Sequence, residues 1–509
     1  MPGRTQRLCG VAVMALALGS VPLAMNHMSH SIWHDEAQSH FFASQSTLGK
    51  VTTQTLTVRP YPPLFFFALH YSLRLRDDEM GLRLPSALFG ALSIIAVFLL
   101  GATLVDCPTG TIAAFLFVLT PGAFRYFVDG DAYTLVMLAS ALSTIYLWKA
   151  AHSNATGHWV AYAAFALLGL GTHTLFLFLV GGQLLAGVFL VATARPVAQR
   201  SFKRLAAVGG LLASVTLVWT LYYVHAGGDS RPITFSTVPE FSTVVSMAGM
   251  LAGPQSFYGL AQILLWGALL ALGAAALYRD SRREFWSIAI MIGAPVVTVT
   301  LFIKLTLPFV AYRYSLMTFP LTCVVAACCW KLWPRRRLAR VVAAALILAY
   351  CGAGAAFIVS AGVNTFGYQD WRSAVRYLAE RFTAGDLVLV TGDTPLAFAY
   401  YWKGPEPLRS TSSPQEISAA LAQALATRDA ITSRAWVLLS NYANESLLVG
   451  RYTESMRRGE VWERDVAQAM ESRSLHICET AAFQRVTVLE VRLSSCQQSL
   501  NNAPPMPPK

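Results

Sequence analysis

Two adjacent carboxylates, Asp35 and Glu36, follow the first long apolar segment, within the sequence Ser-Ile-Trp-His-Asp-Glu that begins at Ser31. Charged groups within a membrane are costly and therefore tend to have a function. A carboxylate at a membrane face can act as a general base toward a hydroxyl group or supply oxygen ligands to a divalent cation. The structural alternative is a solvated loop in which the aspartate caps the next helix.

A second acidic pair, Asp129 and Asp131, lies in the sequence Phe-Val-Asp-Gly-Asp-Ala-Tyr that ends at Tyr133. One interpretation is a second catalytic carboxylate, or a group that binds substrate. The other is a turn, because Asp-Gly is favoured in turns, followed by a helix cap at Asp131. Arg125, close by in sequence, either binds an anion or pairs with these acids.

Arg313 and Tyr314 form the third candidate, at the edge of an apolar segment. A guanidinium presents a planar fork of donors that matches phosphate oxygens, which favours an anion site. The alternative is an arginine that extends its charged end to the membrane surface. Lesser candidates for phosphate or substrate binding are Arg59, His70, Arg83 and His173.

The composition indicates what kind of protein positions these groups. Of the 509 residues, 55% are apolar and only 13% are charged, whereas soluble domains carry roughly 25% charged residues. Eleven apolar segments have about the length of 18–25 residues that a membrane-spanning helix needs. They are 8–29, 83–105, 109–127, 133–150, 157–174, 175–193, 205–225, 257–278, 285–304, 312–332 and 338–361. The sequence therefore predicts a polytopic α-helical membrane protein.

Charge predicts its orientation. Lys and Arg concentrate in alternate loops, which places those loops and the N-terminus in the cytoplasm. Eleven spans then put residues 363–509 outside, together with Asp35, Asp131 and Arg313. Residues 363–509 contain 15 basic and 15 acidic residues, which leaves 24 basic and 12 acidic residues in 1–362. The net charge of +12 thus comes from the cytoplasmic loops and does not indicate a surface for nucleic acid.

The chain divides into three predicted parts. Residues 1–362 form the membrane domain, whose loop 30–82 contains short apolar patches typical of interfacial helices. Residues 363–500 form an external mixed α/β domain, and the Pro-rich end 501–509 is predicted to be disordered. Helices are predicted at 370–382 and 413–428, and strands at 386–390, 435–439 and 482–493.

Two cysteines, Cys478 and Cys496, are the only ones in the external part. In an oxidising compartment they are expected to form a disulfide. The alternative is two buried thiols.

The chain lacks both the Gly-x-x-x-x-Gly-Lys-Ser/Thr phosphate loop and the His-Glu-x-x-His zinc helix. Any external reaction therefore needs a substrate that carries its own energy.

Several motifs together resemble the GT-C superfamily of membrane glycosyltransferases, in particular its bacterial branch related to protein mannosyltransferases and the aminoarabinose lipid A transferase. The resemblance covers residues 1 to about 385. The motifs are Asp35-Glu36, Arg59-Pro-Tyr-Pro-Pro-Leu64, Gly81-Leu-Arg-Leu-Pro-Ser-Ala-Leu-Phe-Gly90, Asp131-Ala-Tyr133, Thr172-His173, Arg313-Tyr314 and Asp370-Trp-Arg372. At the fourth motif the family often has Arg-x-Tyr, and this chain departs from it with Asp131.

The resemblance implies a GT-C fold and a polyprenyl-phosphate sugar as donor. It implies transfer to a lipid, glycan or protein on the outer face of the bacterial cytoplasmic membrane, with inversion at the sugar. The family's catalytic carboxylate maps onto Asp35 and its acidic partner onto Asp131 or Asp129. No cofactor is required by this chemistry, although adjacent carboxylates permit Mg²⁺ or Mn²⁺.

The donor phosphate is assigned to Arg313, with Arg59 and Tyr314 beside it, and Glu36 supports Asp35. His70, Arg83 and His173 are candidates for substrate contacts. The alternative functions are a transporter or a flippase for lipid-linked sugars, and a non-catalytic membrane scaffold. Against a transporter, the acids gather at one face and no repeated halves occur.

Overall fold

The structure is a computed structural model. It describes residues 4–58, 61–193, 198–226, 260–306, 312–332, 337–361, 369–391, 395–409, 414–426, 434–440, 464–493 and 496. The chain forms two compact units. The first contains residues 4–28 and the described residues of 42–361, and the second contains 29–41 and the described residues from 369 onward.

The first unit is helical, as its apolar segments predict. Among the described residues, eight helices are long and apolar enough to cross a membrane. They are Arg4–Met25, Glu79–Leu104, Tyr133–Ser153, Phe176–Thr193, Ala198–Ala226, Leu260–Asp280, Arg282–Thr306 and Arg337–Ser360. The predicted polytopic α-helical fold is therefore confirmed.

The other three predicted segments are also helical, but none is a straight helix of full length. Cys107–Val118 and Pro121–Phe127 are bent by 67°, at a proline that cannot donate a backbone hydrogen bond. Thr156–Leu170 and Phe319–Lys331 are too short to pass the same test. The span predicted at 109–127 is therefore a bent pair of helices, either a broken span or a re-entrant loop.

Small residues let the helices approach each other closely. A Cβ at Gly101 would lie 2.5 Å from the Cα of Gly110, and one at Gly273 would lie 1.8 Å from the carbonyl oxygen of Val325. Both positions need glycine because backbone meets backbone there. Such contacts are typical of packed helices in membranes, where close van der Waals packing drives association.

Short helices follow the first span, as the apolar patches of 30–82 predict. They are His34–Ala43, Leu48–Val58 and Leu64–Leu75. Their placement in the membrane interface stays a prediction.

The second unit contains a five-stranded mixed sheet in the order β2-β1-β3-β5-β4. The strands are β1 (Leu387–Val390), β2 (Leu408–Arg409), β3 (Arg434–Ser440), β4 (His476–Phe483) and β5 (Val486–Arg492). Strand β1 is parallel to β2 and β3, whereas β5 is antiparallel to β3 and β4. The mixed α/β class predicted for this region is confirmed.

Within the described residues, four helices accompany the sheet: Trp371–Arg381, Pro395–Tyr401, Pro414–Ala426 and 464–471. The first and third correspond to predicted helices. A single strand over 482–493 is wrong, because a turn at Gln484-Arg485 separates β4 from β5 and Arg485 has a φ of 56°. Such left-handed backbone is uncommon for residues other than glycine, so the sequence gives little sign of it.

Polar bonds also hold the second unit together. Arg434 Nη2 lies 2.7 Å from Asp386 Oδ2, and Trp436 Nε1 donates to the same oxygen at 3.0 Å. Cys478 and Cys496 are joined in a disulfide with their Cα atoms 5.3 Å apart. The domain boundary at 362–363 and the tail 501–509 lie outside the described residues.

Candidate functional site

A small pocket in the first unit gathers residues from three distant parts of the sequence. The lining residues are Tyr133, Val136, His173, Leu175, Phe176, Arg313, Tyr314 and Met317. They come from the start of a long helix, from the loop 171–175 with the start of the next helix, and from a 3₁₀ segment with the residues after it. Among the described residues that line the pocket, Arg313 is the only charged one, and the others have aromatic, aliphatic, methionine or histidine side chains.

The loop that carries His173 is fixed at both sides. The backbone N–H of Leu64 donates to the carbonyl of Gly171 at 3.0 Å, and Thr172 Oγ1 donates to Leu168 O at 2.7 Å. The backbone N–H of Leu175 donates to His173 Nδ1 at 3.1 Å. Because Nδ1 accepts, the neutral ring carries its proton on Nε2.

His173 stays neutral under ordinary conditions. Burial lowers its pKa, and the nearby Arg313 lowers the pKa further, to about 4. The imidazole centroid lies 5.5 Å from that of Tyr133. The pocket therefore holds one permanent cation beside a neutral N–H donor, a combination suited to a phosphate oxygen.

Hydrogen bonds inside the helical bundle secure the segment that bears Arg313. Ser140 Oγ donates to the carbonyl of Met317. Ser143 Oγ donates to the carbonyl of Ser140 at 3.1 Å, and Gln183 Nε2 donates to Ser143 Oγ at 2.8 Å. This buried series links two long helices to the turn that follows the 3₁₀ segment Tyr312–Ser315. The guanidinium carbon of Arg313 lies 5.7 Å from the ring centre of Tyr314.

The second acidic pair lies in a compact turn. Asp129 is 3% exposed, whereas Asp131 is partly exposed. Asp131 Oδ1 accepts from the backbone N–H of Ala132 at 2.6 Å, and its carbonyl accepts from Ser86 Oγ at 3.0 Å. The cap position of the following helix is Ala132, so Asp131 is not its N-cap. A Cβ at Gly130 would lie 2.8 Å from Leu82 Cγ, so the turn needs glycine.

Two predicted substrate residues make structural contacts. His70 is buried, and its Nδ1 donates a hydrogen bond to the carbonyl of Ala43 at 2.8 Å. Arg83 is fully buried and Nη1 donates to the carbonyl of Met28. Neither lines the Arg313 pocket. Arg59 lies outside the described residues.

Asp35 and Glu36 occupy the first turn of the helix His34–Ala43, in the second unit. Negative groups are favourable there because the N-terminus of a helix is the positive end of its dipole. Glu36 is 0% exposed, whereas Asp35 is partly exposed. Of the two acids, Asp35 is therefore the one that a substrate can reach.

No group of three or more His, Cys, Asp or Glu side chains within the described ranges could hold a metal ion.

A larger cavity of about 180 Å³ also lies in the first unit, but no predicted site residue lines it. Its Lys331 Nζ lies 3.1 Å from Asp106 Oδ2. Burial would raise the pKa of Asp106, but hydrogen bonds from Thr109 and Lys331 lower it below its usual value. Lys331 is thus already paired with carboxylates, so this cavity is not our candidate site.

Several residues of the site were not predicted. Nothing in the sequence marked Val136, Phe176 or Met317 as part of a site, because apolar residues are common throughout such a chain. Tyr133 and Arg372 stood in motifs that resemble the family, but neither was assigned a role. Nothing in the sequence singled out Tyr401, whose contacts are described below.

Comparisons with known proteins identify a family and a fold that the chain resembles. The sequence model of the dolichyl-phosphate-mannose-protein mannosyltransferase family matches residues 60–219. No curated protein matches the chain.

Solved structures share the fold over nearly the whole chain. ArnT from Cupriavidus metallidurans in the apo state is 12% identical with a TM-score of 0.58, and the match covers 96% of this chain and 98% of that one. The same protein bound to undecaprenyl phosphate is 14% identical at the same TM-score, covering 94% and 97%.

The archaeal oligosaccharyltransferase AglB from Archaeoglobus fulgidus, in complex with an inhibitory peptide and a dolichol-phosphate, is 12% identical with a TM-score of 0.52. That match covers 91% of this chain and 72% of AglB. The chain therefore has the fold of these GT-C membrane glycosyltransferases, and the predicted resemblance is confirmed.

Proposed function

We propose that the protein is an integral membrane glycosyltransferase that moves a sugar from a polyprenyl-phosphate donor to a lipid, glycan or protein acceptor. The observation that carries the proposal is the Arg313 pocket, in which one cation stands among aromatic and aliphatic side chains. That lining suits a phosphate attached to an apolar chain. The fold shared with ArnT, which has been solved with undecaprenyl phosphate, supports the same ligand class.

The chemistry requires few groups. The acceptor hydroxyl oxygen forms a bond to the anomeric carbon, while the bond from that carbon to the phosphate oxygen breaks. The electron pair leaves with the lipid phosphate, which is already a stable anion and needs positive charge more than a proton. Arg313 supplies the charge, and His173 supplies a neutral N–H donor from Nε2. Tyr314 is a further phosphate ligand in this proposal.

A general base completes the reaction by taking the proton of the acceptor hydroxyl. We assign this role to Asp35, because the family resemblance maps its catalytic carboxylate there and because Asp35 is more exposed than Glu36. Glu36 orients the base, and Asp131 is the second acidic residue. The reaction takes place on the outer face of a bacterial cytoplasmic membrane, where the charge pattern places these groups.

The test is a transfer assay with purified protein in lipid vesicles and a panel of labelled polyprenyl-phosphate sugars. We expect release of polyprenyl phosphate and labelled acceptor with at least one donor. Arg313→Ala and Asp35→Asn should lose transfer, whereas the exposed residues changed in Arg200→Ala and Asp465→Asn provide matched controls. If Arg313→Ala and Asp35→Asn both transferred sugar at the parent rate, the proposed mechanism would be wrong.

The alternative is a flippase without transferase activity. It predicts that labelled donor crosses the vesicle bilayer and is not consumed. The same vesicles distinguish the two functions. Quenching of the label from outside measures how much donor crosses the bilayer, and chromatography of the lipid measures how much donor is consumed.

A further inference from the structure

The segment just before the acidic helix is held by hydrogen bonds from the C-terminal part of the second unit. Arg372 Nη1 donates to the carbonyl of Ser29 at 2.7 Å, and Nη2 donates to the carbonyl of His30 at 3.3 Å. The backbone N–H of Arg372 donates to Ser31 Oγ at 3.1 Å. One arginine therefore contacts three consecutive residues.

Tyr401 makes the next contact along the same segment. Its hydroxyl accepts from the backbone N–H of Ile32 at 2.9 Å. The guanidinium carbon of Arg372 lies 5.8 Å from the Tyr401 ring centre, so the two side chains stabilise each other as well. Four hydrogen bonds thus fix residues 29–32, two positions before the helix that carries Asp35 begins.

Most of the segment that these bonds reach is buried, whereas Ser29 is exposed. His30, Ser31, Ile32 and Trp33 are all less than 5% exposed. Residues 29–32 belong to no helix or strand, so their backbone groups have no regular partners. Buried backbone groups need hydrogen bonds, and losing a partner there costs more than losing one in water.

Arg372 and Tyr401 stand on rigid supports. The helix Trp371–Arg381 begins at Trp371, which is fully buried, and the backbone N–H of Asp370 donates to the carbonyl of Gln484 at 2.9 Å. Tyr401 ends a helix whose Phe398 packs against Trp371 with ring centres 6.4 Å apart. A shift in residues 29–32 is therefore opposed by the core of the unit.

A second contact lies near the other end of the acidic helix. His40 and Tyr400 have ring centroids 4.9 Å apart in an edge-to-face arrangement. Tyr400 and Tyr401 are neighbours, so one helix end contacts both the segment before the acidic helix, at Ile32, and the helix itself near its end, at His40. Asp35 and Glu36 lie between these contacts.

We propose that Arg372 and Tyr401 are positioning residues that set the place and direction of the helix carrying Asp35 and Glu36. This inference rests on the proposed function, because it gives the C-terminal region a task in the same reaction. Catalytic groups need to be held within about 0.5 Å of their working geometry, by neighbours that are themselves fixed. The two residues act through Asp35 and touch no substrate.

The first test needs no activity. Hydrogen exchange, measured by mass spectrometry on the full-length protein, should show faster exchange at residues 29–41 in Arg372→Ala and Tyr401→Phe. The matched controls are Arg376→Ala, an exposed arginine on the same helix, and Tyr377→Phe, which removes a hydroxyl that donates to Glu479. Unchanged exchange at 29–41 in both positioning variants would overturn the proposal, whether or not the protein transfers sugar.

The second test uses the transfer assay. Arg372→Ala should lower kcat by roughly 10- to 100-fold, the effect expected when a catalytic group is misplaced by about 1 Å, and KM for the donor should change little. Tyr401→Phe, which loses one hydrogen bond, should lower kcat by roughly fivefold. Arg372→Lys, which keeps the charge but not the fork, should recover part of the rate.

A double-mutant comparison separates this inference from the proposed function. In an Asp35→Asn background, Arg372→Ala should cause no further loss of kcat, because the group it positions is already missing. An undiminished additional loss would show that Arg372 does not act through Asp35. If instead Asp35→Asn alone keeps the parent rate, the assignment of the base is wrong, while the exchange result still stands on its own.

Discussion

The Arg313 pocket and the acidic helix show two ways of holding a reactive group. Arg313 stands in a helical bundle whose backbones meet at glycines such as Gly101 and Gly273, and buried serines and Gln183 support its segment. Asp35 stands on a three-turn helix whose approach is fixed by side chains that bond to backbone groups. The first arrangement depends mainly on packing and the second mainly on a few polar bonds.

This difference matters because packing and polar bonds respond differently to change. A packed pocket tolerates the loss of one hydrogen bond but not added volume, since interiors are close-packed. A segment held by four hydrogen bonds loses its position when a single donor is removed. We expect the following effects, in decreasing order, for changes in the two regions and in the units that contain them.

The largest loss is expected from Asp35→Asn. Removing a general base lowers kcat by roughly 100- to 10,000-fold, while the thermal midpoint of unfolding should stay the same because Asp35 is partly exposed. Transfer kinetics and a thermal melt on the same sample measure both. The exposed control Asp465→Asn should change neither, and a large shift in melting for Asp35→Asn would make that residue structural.

The next largest loss is expected from Arg313→Ala, which should lower kcat/KM by roughly 100- to 1,000-fold. This is the range seen when one group that stabilises developing charge is removed. Arg313→Lys should fall between Arg313→Ala and the parent, because it keeps the charge but not the planar fork. Arg200→Ala is the control. Equal activity of the lysine and alanine variants would show that charge is not what the pocket supplies.

The third prediction concerns stability of the second unit alone. Asp386 and Arg434 have side chains only 5% and 17% exposed, so Asp386→Asn should lower the free energy of unfolding by about 3 kcal/mol, as when a buried pair is broken. Denaturant unfolding followed by Trp fluorescence measures it. If Asp386→Asn changed the free energy of unfolding no more than the exposed control Asp465→Asn does, this prediction would be wrong.

The same pair gives a pH dependence with a definite sign. Burial would raise the pKa of Asp386, but hydrogen bonds from Arg434, Thr383 and Trp436 together lower it below its usual value. Its stabilisation is therefore present above the ordinary aspartate pKa, near about 3.9, and is lost as pH falls through the lower folded value. Asp386→Asn should remove this acid sensitivity.

His173 should also make the first unit less stable in acid, but here burial and Arg313 disfavour the charged form of the side chain. Its pKa is about 4 in the folded protein because of burial and Arg313, against about 6.5 for an ordinary histidine. The unfolded chain binds the proton first, so stability falls as pH drops from about 6.5 toward 4 and is constant above that range. Thermal melts of parent and His173→Gln across this range measure the difference, and identical profiles would exclude His173 as the cause.

The smallest effect is expected from removal of divalent cations. With no group of three suitable ligands in the described part of the chain, a chelator such as EDTA should change transfer less than twofold. Restoration of a lost rate by Mg²⁺ or Mn²⁺ would instead show that Asp35 and Glu36 bind a cation.

Much of the fold follows from local sequence patterns. Long apolar runs predict spanning helices because each run has to bury its own backbone polar groups within a membrane. Local patterns fail where a distant contact or one backbone angle decides. The bend near Pro121 and the turn at Arg485 are such places, and the sequence predicted a single span and an unbroken strand there.

The site was predictable in part. Asp35 and Arg313 stood out because charge is rare in such a chain. The grouping of Tyr133, His173 and Arg313 in one pocket depends on helix packing across 180 positions, which no local pattern contains. Likewise, the family resemblance assigns Asp35 and Glu36 different roles, but only the structure shows that Glu36 is buried and Asp35 is partly exposed.

The bonds from Arg372 also set an order of events during biosynthesis. Ser29 precedes Arg372 by 343 positions, so the acidic helix is synthesised long before the residues that hold it. Until the ribosome has made the helices Trp371–Arg381 and Pro395–Tyr401, the four hydrogen bonds to residues 29–32 do not exist. During synthesis, the helix that carries the proposed base, Asp35, therefore lacks these hydrogen bonds. On the proposed function, the base is positioned only once the last third of the chain has been translated.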